Sequence, residues 1–253
     1  MNIPHLTSRD IVAISVCSAL YAVFGILTSG ISFLGIGFLP AVMIPAVFAA
    51  LYGPWVGGIS GAMGIFIRDM FVHGNPMLSL AAGVPSNFIL FFLIGYLYAK
   101  NISLKQALTV ITLEIAALLA ASLILLSDFT TYTGLTSNTF LVTFILTIIV
   151  SLTTIIVISI RWKEWISYAI GAVIGQITGG LLLAITIWLV SPFFYAVLGE
   201  PIPFIYILPI FVWLIITELP CILLAAPIIK IVQKIFPNIR RYSNKSLKGD
   251  SGV

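Results

Sequence analysis

A chain of 253 residues of which only 8% are charged and 60% hydrophobic, with a mean hydropathy of +1.19, departs far from the quarter or so of charged residues in soluble globular proteins. One water-excluding core cannot hide that much apolar surface, so the composition excludes an ordinary soluble protein and points to an integral membrane protein. The formal net charge of +4 is small and scattered, which argues against a nucleic-acid partner.

Charged residues are absent from 11 to 67, 70 to 99, 129 to 160 and 165 to 199. The first stretch is far longer than the roughly 20 residues one helix needs to cross a bilayer, so it must turn inside itself. A first span begins near Ile11 and ends at Gly30, Gly35, Gly37 and Pro40, and its lack of a small-residue cleavage site reads as a retained helix. Gly53-Pro54 then divides 40–53 from 54–67. Further spans are expected at 78–99, 106–127, 139–160, 165–190 and 204–232, eight segments in all. A polar, basic tail follows at 238–253, suited to an anionic inner leaflet, so that 1–237 forms a single transmembrane domain.

The short pair around Gly53 is either a hairpin or one helix kinked at Pro54. A hairpin with a cytoplasmic N-terminus places every basic residue but Arg68 inside, whereas a kinked helix leaves both Arg9 and Arg68 outside, so the retention of Lys and Arg in the cytoplasm favours the hairpin by one residue. Both arrangements place loops around 70–77, 128–138 and 191–203 outside and the tail inside.

Polar groups within spans are costly and therefore candidates for function. Glu218 lies deep in the last span, with Pro220 removing the amide that would bond the Ile216 carbonyl. Gln176 reaches a similar depth and Asn87 lies nearer the outside, so the three are expected to line one midplane site. Arg68-Asp69, at the outer end of the third segment, reads as an interfacial ion pair or the mouth of an external site. Glu114 lies near the cytoplasmic end of its span, where Lys105 or Lys163 can pair with it. Gly171, Gly175 and Gly179 recur every four residues, and Ser15, Ser18, Ala19, Ala22 and Gly25 form a stripe on the first span; such rows let helix backbones approach closely.

No phosphate-binding G-x-x-x-x-G-K-[ST] loop occurs, so ATP hydrolysis by the chain itself is not expected. His5 and His73 fall at opposite faces, and Cys17 and Cys221 in apolar runs, leaving no metal site, disulfide framework, cofactor site or catalytic set in view; the chain reads as no enzyme.

The stretch from Pro40 through Gly53-Pro54 to Gly64, ending in Arg68-Asp69, resembles the second and third helices of the substrate-binding S components of energy-coupling factor (ECF) transporters. Ala19-Leu20-Tyr21-Ala22-Val23, the run from Asn87-Phe88 to Gly95-Tyr96-Leu97, and Glu218-Leu219-Pro220 to Pro227 resemble further helices of the same family. The resemblance implies a multi-pass helical bundle in the cell membrane that captures a vitamin or related micronutrient and docks onto a membrane T subunit driven by two ATPase subunits. It favours the hairpin, and it carries the family's docking face onto Ser15, Ser18, Ala19 and Ala22, with serine at two positions where the family has alanine. Six helices are usual there, so 106–127 and 139–160 read as an added pair that leaves both termini cytoplasmic. The polar groups Arg68, Asp69, Asn87, Gln176 and Glu218 make up the expected substrate site. A competing reading is a proton-coupled secondary transporter in which Glu218 carries the proton.

Overall fold

The computed structural model describes residues 6–30, 32–33, 36–100, 165–194 and 201–236, with scattered positions between 109 and 157. Helix α1 spans Ser8–Leu27, and its start is fixed by a capping box: Thr7 accepts from the Asp10 amide while the Asp10 carboxylate accepts from the Thr7 amide. A two-stranded antiparallel hairpin follows, β1 (Ser32–Phe33) with β2 (Ile36–Gly37). A 3₁₀ turn at Pro40–Val42 leads into α2, Met43–Tyr52, and α3 runs over Pro54–Val72. The helical segment Pro76–Tyr98, α4, contains a π-helical turn at Ser79–Gly83. Later come α5 (Ile166–Val190), α6 (Ile207–Leu223) and α7 (Ala225–Ile235).

Five helical segments among the described residues are long and apolar enough to cross a membrane: Ser8–Leu27, Pro54–Val72, Pro76–Tyr98, Ile166–Phe193 and Phe204–Ile235. Among the described residues the architecture is a helical bundle with one small β-hairpin. Apolar side chains cover its outside as well as its core, Ile11, Val12, Val16, Val23 and Phe24 of α1 all being exposed. Only scattered positions of the expected segments at 106–127 and 139–160 are described, and Glu114 and the tail at 238–253 lie outside the described residues.

Gly53 decides between the two arrangements weighed for 40–67. Its φ of 96° is open to glycine and strained for other residues, and it reverses the chain there. A Cβ at Gly57 would collide with Ala49, eight residues earlier. In one continuous helix those residues would stand about 12 Å apart, at 1.5 Å per residue. The pair is a helical hairpin. Its second arm is longer than the break near residue 67 suggested, because α3 continues to Val72 before the Asp69 carbonyl accepts from both the His73 and Gly74 amides. The expected loop at 70–77 shrinks to 73–75. There Asn75 caps α4 by accepting from the Leu78 amide, with Pro76 at the first helical position. The last span, Phe204–Ile235, is broken near Pro220: two helices meet at Leu224, four residues after it.

Glycines set the closest helix contacts. Gly171, Gly175 and Gly179 place the backbone of α5 against α4, where added Cβ atoms would come within 3.0 Å of the Ile94 carbonyl, 2.7 Å of the Leu90 carbonyl and 2.9 Å of the Ser86 carbonyl. On α3, Gly61 leaves room for the Phe91 ring and Gly64 for Tyr21. Helices α1 and α5 are thereby held on opposite sides of the α3–α4 pair, and α6 packs on α5. This arrangement positions the polar side chains described next.

Candidate functional site

A cavity of about 280 Å³ opens among α3, α4, α5, α6 and the β-hairpin. Most of its wall is aliphatic, with Leu39, Ile65, Val72, Leu183, Ile187 and Leu214 contributing. The polar lining consists of Arg68, Asp69, His73, Asn87 and Glu218. Four of the five expected substrate residues therefore face one space, although they come from three helices and span 151 positions of sequence from 68 to 218. The fifth, Gln176, lies fully buried directly behind Glu218.

Each polar group is held by specific bonds. Arg68 Nη1 donates to Asp69 Oδ1 at 3.0 Å, and both side chains are buried. Asp69 Oδ2 accepts from Ser79 Oγ at 2.7 Å, while His73 Nε2 stands 3.7 Å from the same oxygen. The His73 Nδ1 accepts the Asn75 amide at 3.1 Å, so the Nε2–H is the one turned toward Asp69. Two glycines make space for this pair: a Cβ at Gly25 would lie 3.1 Å from Arg68 Cγ, and one at Gly83 would lie 2.9 Å from Asp69 Oδ2. The π-turn that carries both Ser79 and Gly83 thus shapes the cradle of Asp69.

Asn87 is oriented by Tyr21, whose hydroxyl donates to Oδ1 at 2.8 Å, and by donating from Nδ2 to the Gly83 carbonyl at 3.0 Å. Glu218 is oriented by Gln176, whose Nε2 donates to Oε2 at 2.9 Å and to the Leu214 carbonyl at 3.2 Å. The hairpin is tied to α6 by Trp213, whose Nε1 donates to the Ile36 carbonyl at 3.0 Å, and Ile36 and Gly37 complete the cavity wall. Among the described residues no group of three or more His, Cys, Asp or Glu side chains is placed to hold a metal ion. The arrangement can bind: it offers buried donors and acceptors in an apolar enclosure of the size class of small-molecule sites.

Part of the chain is similar to UPF0397 proteins. A UPF0397 protein of Aliivibrio fischeri (strain MJ11) is 32% identical over 80 residues, covering 31% of this chain and 44% of that protein. One of Aliivibrio salmonicida (strain LFI1238) gives the same identity and coverage. The chain spans less than half the length of these curated relatives. No protein-family model matches the chain, and no solved structure matches it.

The small-residue face of α1 divides in two. Ser18 and Ala22 are buried, Ser18 donating to the Ile14 and Ser60 carbonyls at 2.8 and 3.2 Å. Ser15 and Ala19 are exposed. The four expected docking residues therefore do not form one outward face: the helix turns about 100° per residue, and α3 covers the Ser18–Ala22 side. Three residues that shape the site went unassigned in the sequence: Gly83 in the cavity wall, and Tyr21 and Ser79, which hold Asn87 and Asp69; His73, considered there as a metal ligand, also lines the cavity. Ser79 is ten residues from Asp69 across a turn, a spacing that no helical period links. Gly83 gave one usable signal, a small residue one turn before Asn87.

Proposed function

We propose that the chain is a membrane-embedded substrate-binding subunit for uptake of a small molecule, a vitamin or related micronutrient, working with a membrane T subunit and two ATPase subunits. The observation that carries this reading is the cavity: Arg68, Asp69, Asn87 and Glu218 converge on one enclosed space inside apolar helices. Polar groups buried at that depth are expensive unless a ligand or a partner uses them. In this reading both termini are cytoplasmic, the segments at 106–127 and 139–160 add a helix pair to a six-helix core, and the tail at 238–253 faces the inner leaflet. Energy comes from the ATPase partners and the chain itself catalyses no reaction.

The docking face for the T subunit is the exposed half of the α1 stripe, Ser15 and Ala19, one turn apart. A purification in mild detergent from the native membrane tests the partners: co-purification of a T subunit and ATPases supports the reading. A lone protein that drives uptake into liposomes on a pH gradient alone would replace it with the proton-coupled transporter that uses Glu218.

A further inference from the structure

We infer that the cavity takes a small organic cation, an amine- or amidine-bearing molecule of about one ring, with its cationic group against Glu218 and a hydrogen-bond acceptor toward Asn87. This inference rests on the proposed reading of the cavity as a substrate site.

Charge and bonding select the class. Two carboxylates, Asp69 and Glu218, and one guanidinium, Arg68, line the cavity. Arg68 is already paired, its Nη1 on Asp69 Oδ1, and the second oxygen of Asp69 is taken by Ser79. His73 turns its Nε2–H toward that same Asp69. Glu218 makes no salt bridge among the described residues: Arg68, the cation that acts on it through space, is bonded to Asp69, and its one side-chain bond is the amide of Gln176 on Oε2. Buried carboxylates are ordinarily paired with a cation, so Oε1 of Glu218 is the acceptor that a ligand cation completes. Gln176 acts as a positioning residue, fixing the carboxylate through its second bond to the Leu214 carbonyl.

The lining also offers a donor. Asn87 has spent its carbonyl on Tyr21 and one N–H on Gly83, leaving its second N–H unpartnered among the described residues. A ligand acceptor such as a hydroxyl or ring nitrogen answers this donor. Size follows from the volume: about 280 Å³ is the liquid share of about nine water molecules at ~30 Å³ each. One substituted ring fits there beside the aliphatic side chains of Leu39, Ile65 and Leu214.

The test uses three molecules of matched shape that differ in charge: benzamidine, the neutral benzamide and the anionic benzoate. Each is titrated into the purified, detergent-solubilised full chain, and binding is read by calorimetry and by ligand-observed NMR. Benzamidine should bind about tenfold or more tightly than either analogue, as expected for a charge-assisted bond to a buried carboxylate. Glu218→Gln should erase that preference, and Glu218→Asp should keep it in part. Benzoate binding as well as benzamidine, no binding by benzamidine to the unaltered chain, or a preference that survives Glu218→Gln would each overturn the inference. The ranking of the three on the unaltered chain stands without any variant, and it is independent of whether a T subunit co-purifies, so the ligand class and the partner reading fail separately.

Discussion

Glycine at position 83 matters to the site through what it omits. Its missing side chain leaves space for Asp69 Oδ2, which an added Cβ would approach to 2.9 Å, so Gly83→Ala pushes the carboxylate off Ser79 and loosens its hold on Arg68. Overpacking of this kind costs about 1–3 kcal/mol; ligand affinity should fall by at least tenfold while the helical circular dichroism spectrum is retained. Tyr21→Phe removes the hydroxyl that orients Asn87 and should weaken binding by a smaller amount, about 1 kcal/mol, measurable by calorimetry. At this scale much of the site was legible. Arg68, Asp69, Asn87, Gln176 and Glu218 stand out in the sequence because polar groups are so rare in the spans. Their supporting groups were not, because Tyr21 and Ser79 are unremarkable residue types whose relevance comes from contacts 66 and 10 positions away.

Between elements, stability rests on backbone-to-backbone approach. Along α5, Gly175 sits where a Cβ would meet the Leu90 carbonyl of α4 at 2.7 Å, and a carbonyl in a helix cannot yield as a flexible side chain does. Gly175→Leu should therefore separate α5 from α4 and pull Gln176 off Glu218, lowering the midpoint of thermal unfolding and abolishing ligand binding together. Trp213→Phe should act more narrowly: it frees the β-hairpin at Ile36 and should speed ligand release without lowering the unfolding midpoint by more than a hydrogen bond's worth, about 1 kcal/mol. The every-fourth-residue glycines announced the α5 contact in the sequence. The split of the α1 stripe could not be read there, since Ser15, Ser18, Ala19 and Ala22 are all small and only the position of α3 determines which of them it covers. The reach of α3 to Val72 was hidden for another reason: Arg68-Asp69 looked like a terminus, yet the two charges neutralise one another at 3.0 Å and so remain inside the helix.

Taken whole, the described residues combine an apolar exterior with a largely aliphatic cavity that carries a few polar side chains between the helices, a layout the proposed carrier reading requires. A bundle with few charges on its flanks can tilt in lipid without dragging charged groups through the hydrocarbon. In the proposed reading, the exposed half of α1 serves docking and the buried half serves folding. Ala19→Trp should block association with a T subunit and leave ligand affinity unchanged, whereas Ala22→Trp, directed into the packed interior, should destabilise the chain itself. The most direct measurement of the central claim is native mass spectrometry of the chain released gently from its own membrane, comparing the unaltered protein with Glu218→Gln and Asn87→Leu. The account predicts a bound small molecule in the unaltered protein that is depleted in both variants; the same ligand at equal occupancy in all three would contradict the assignment of this cavity as the substrate site.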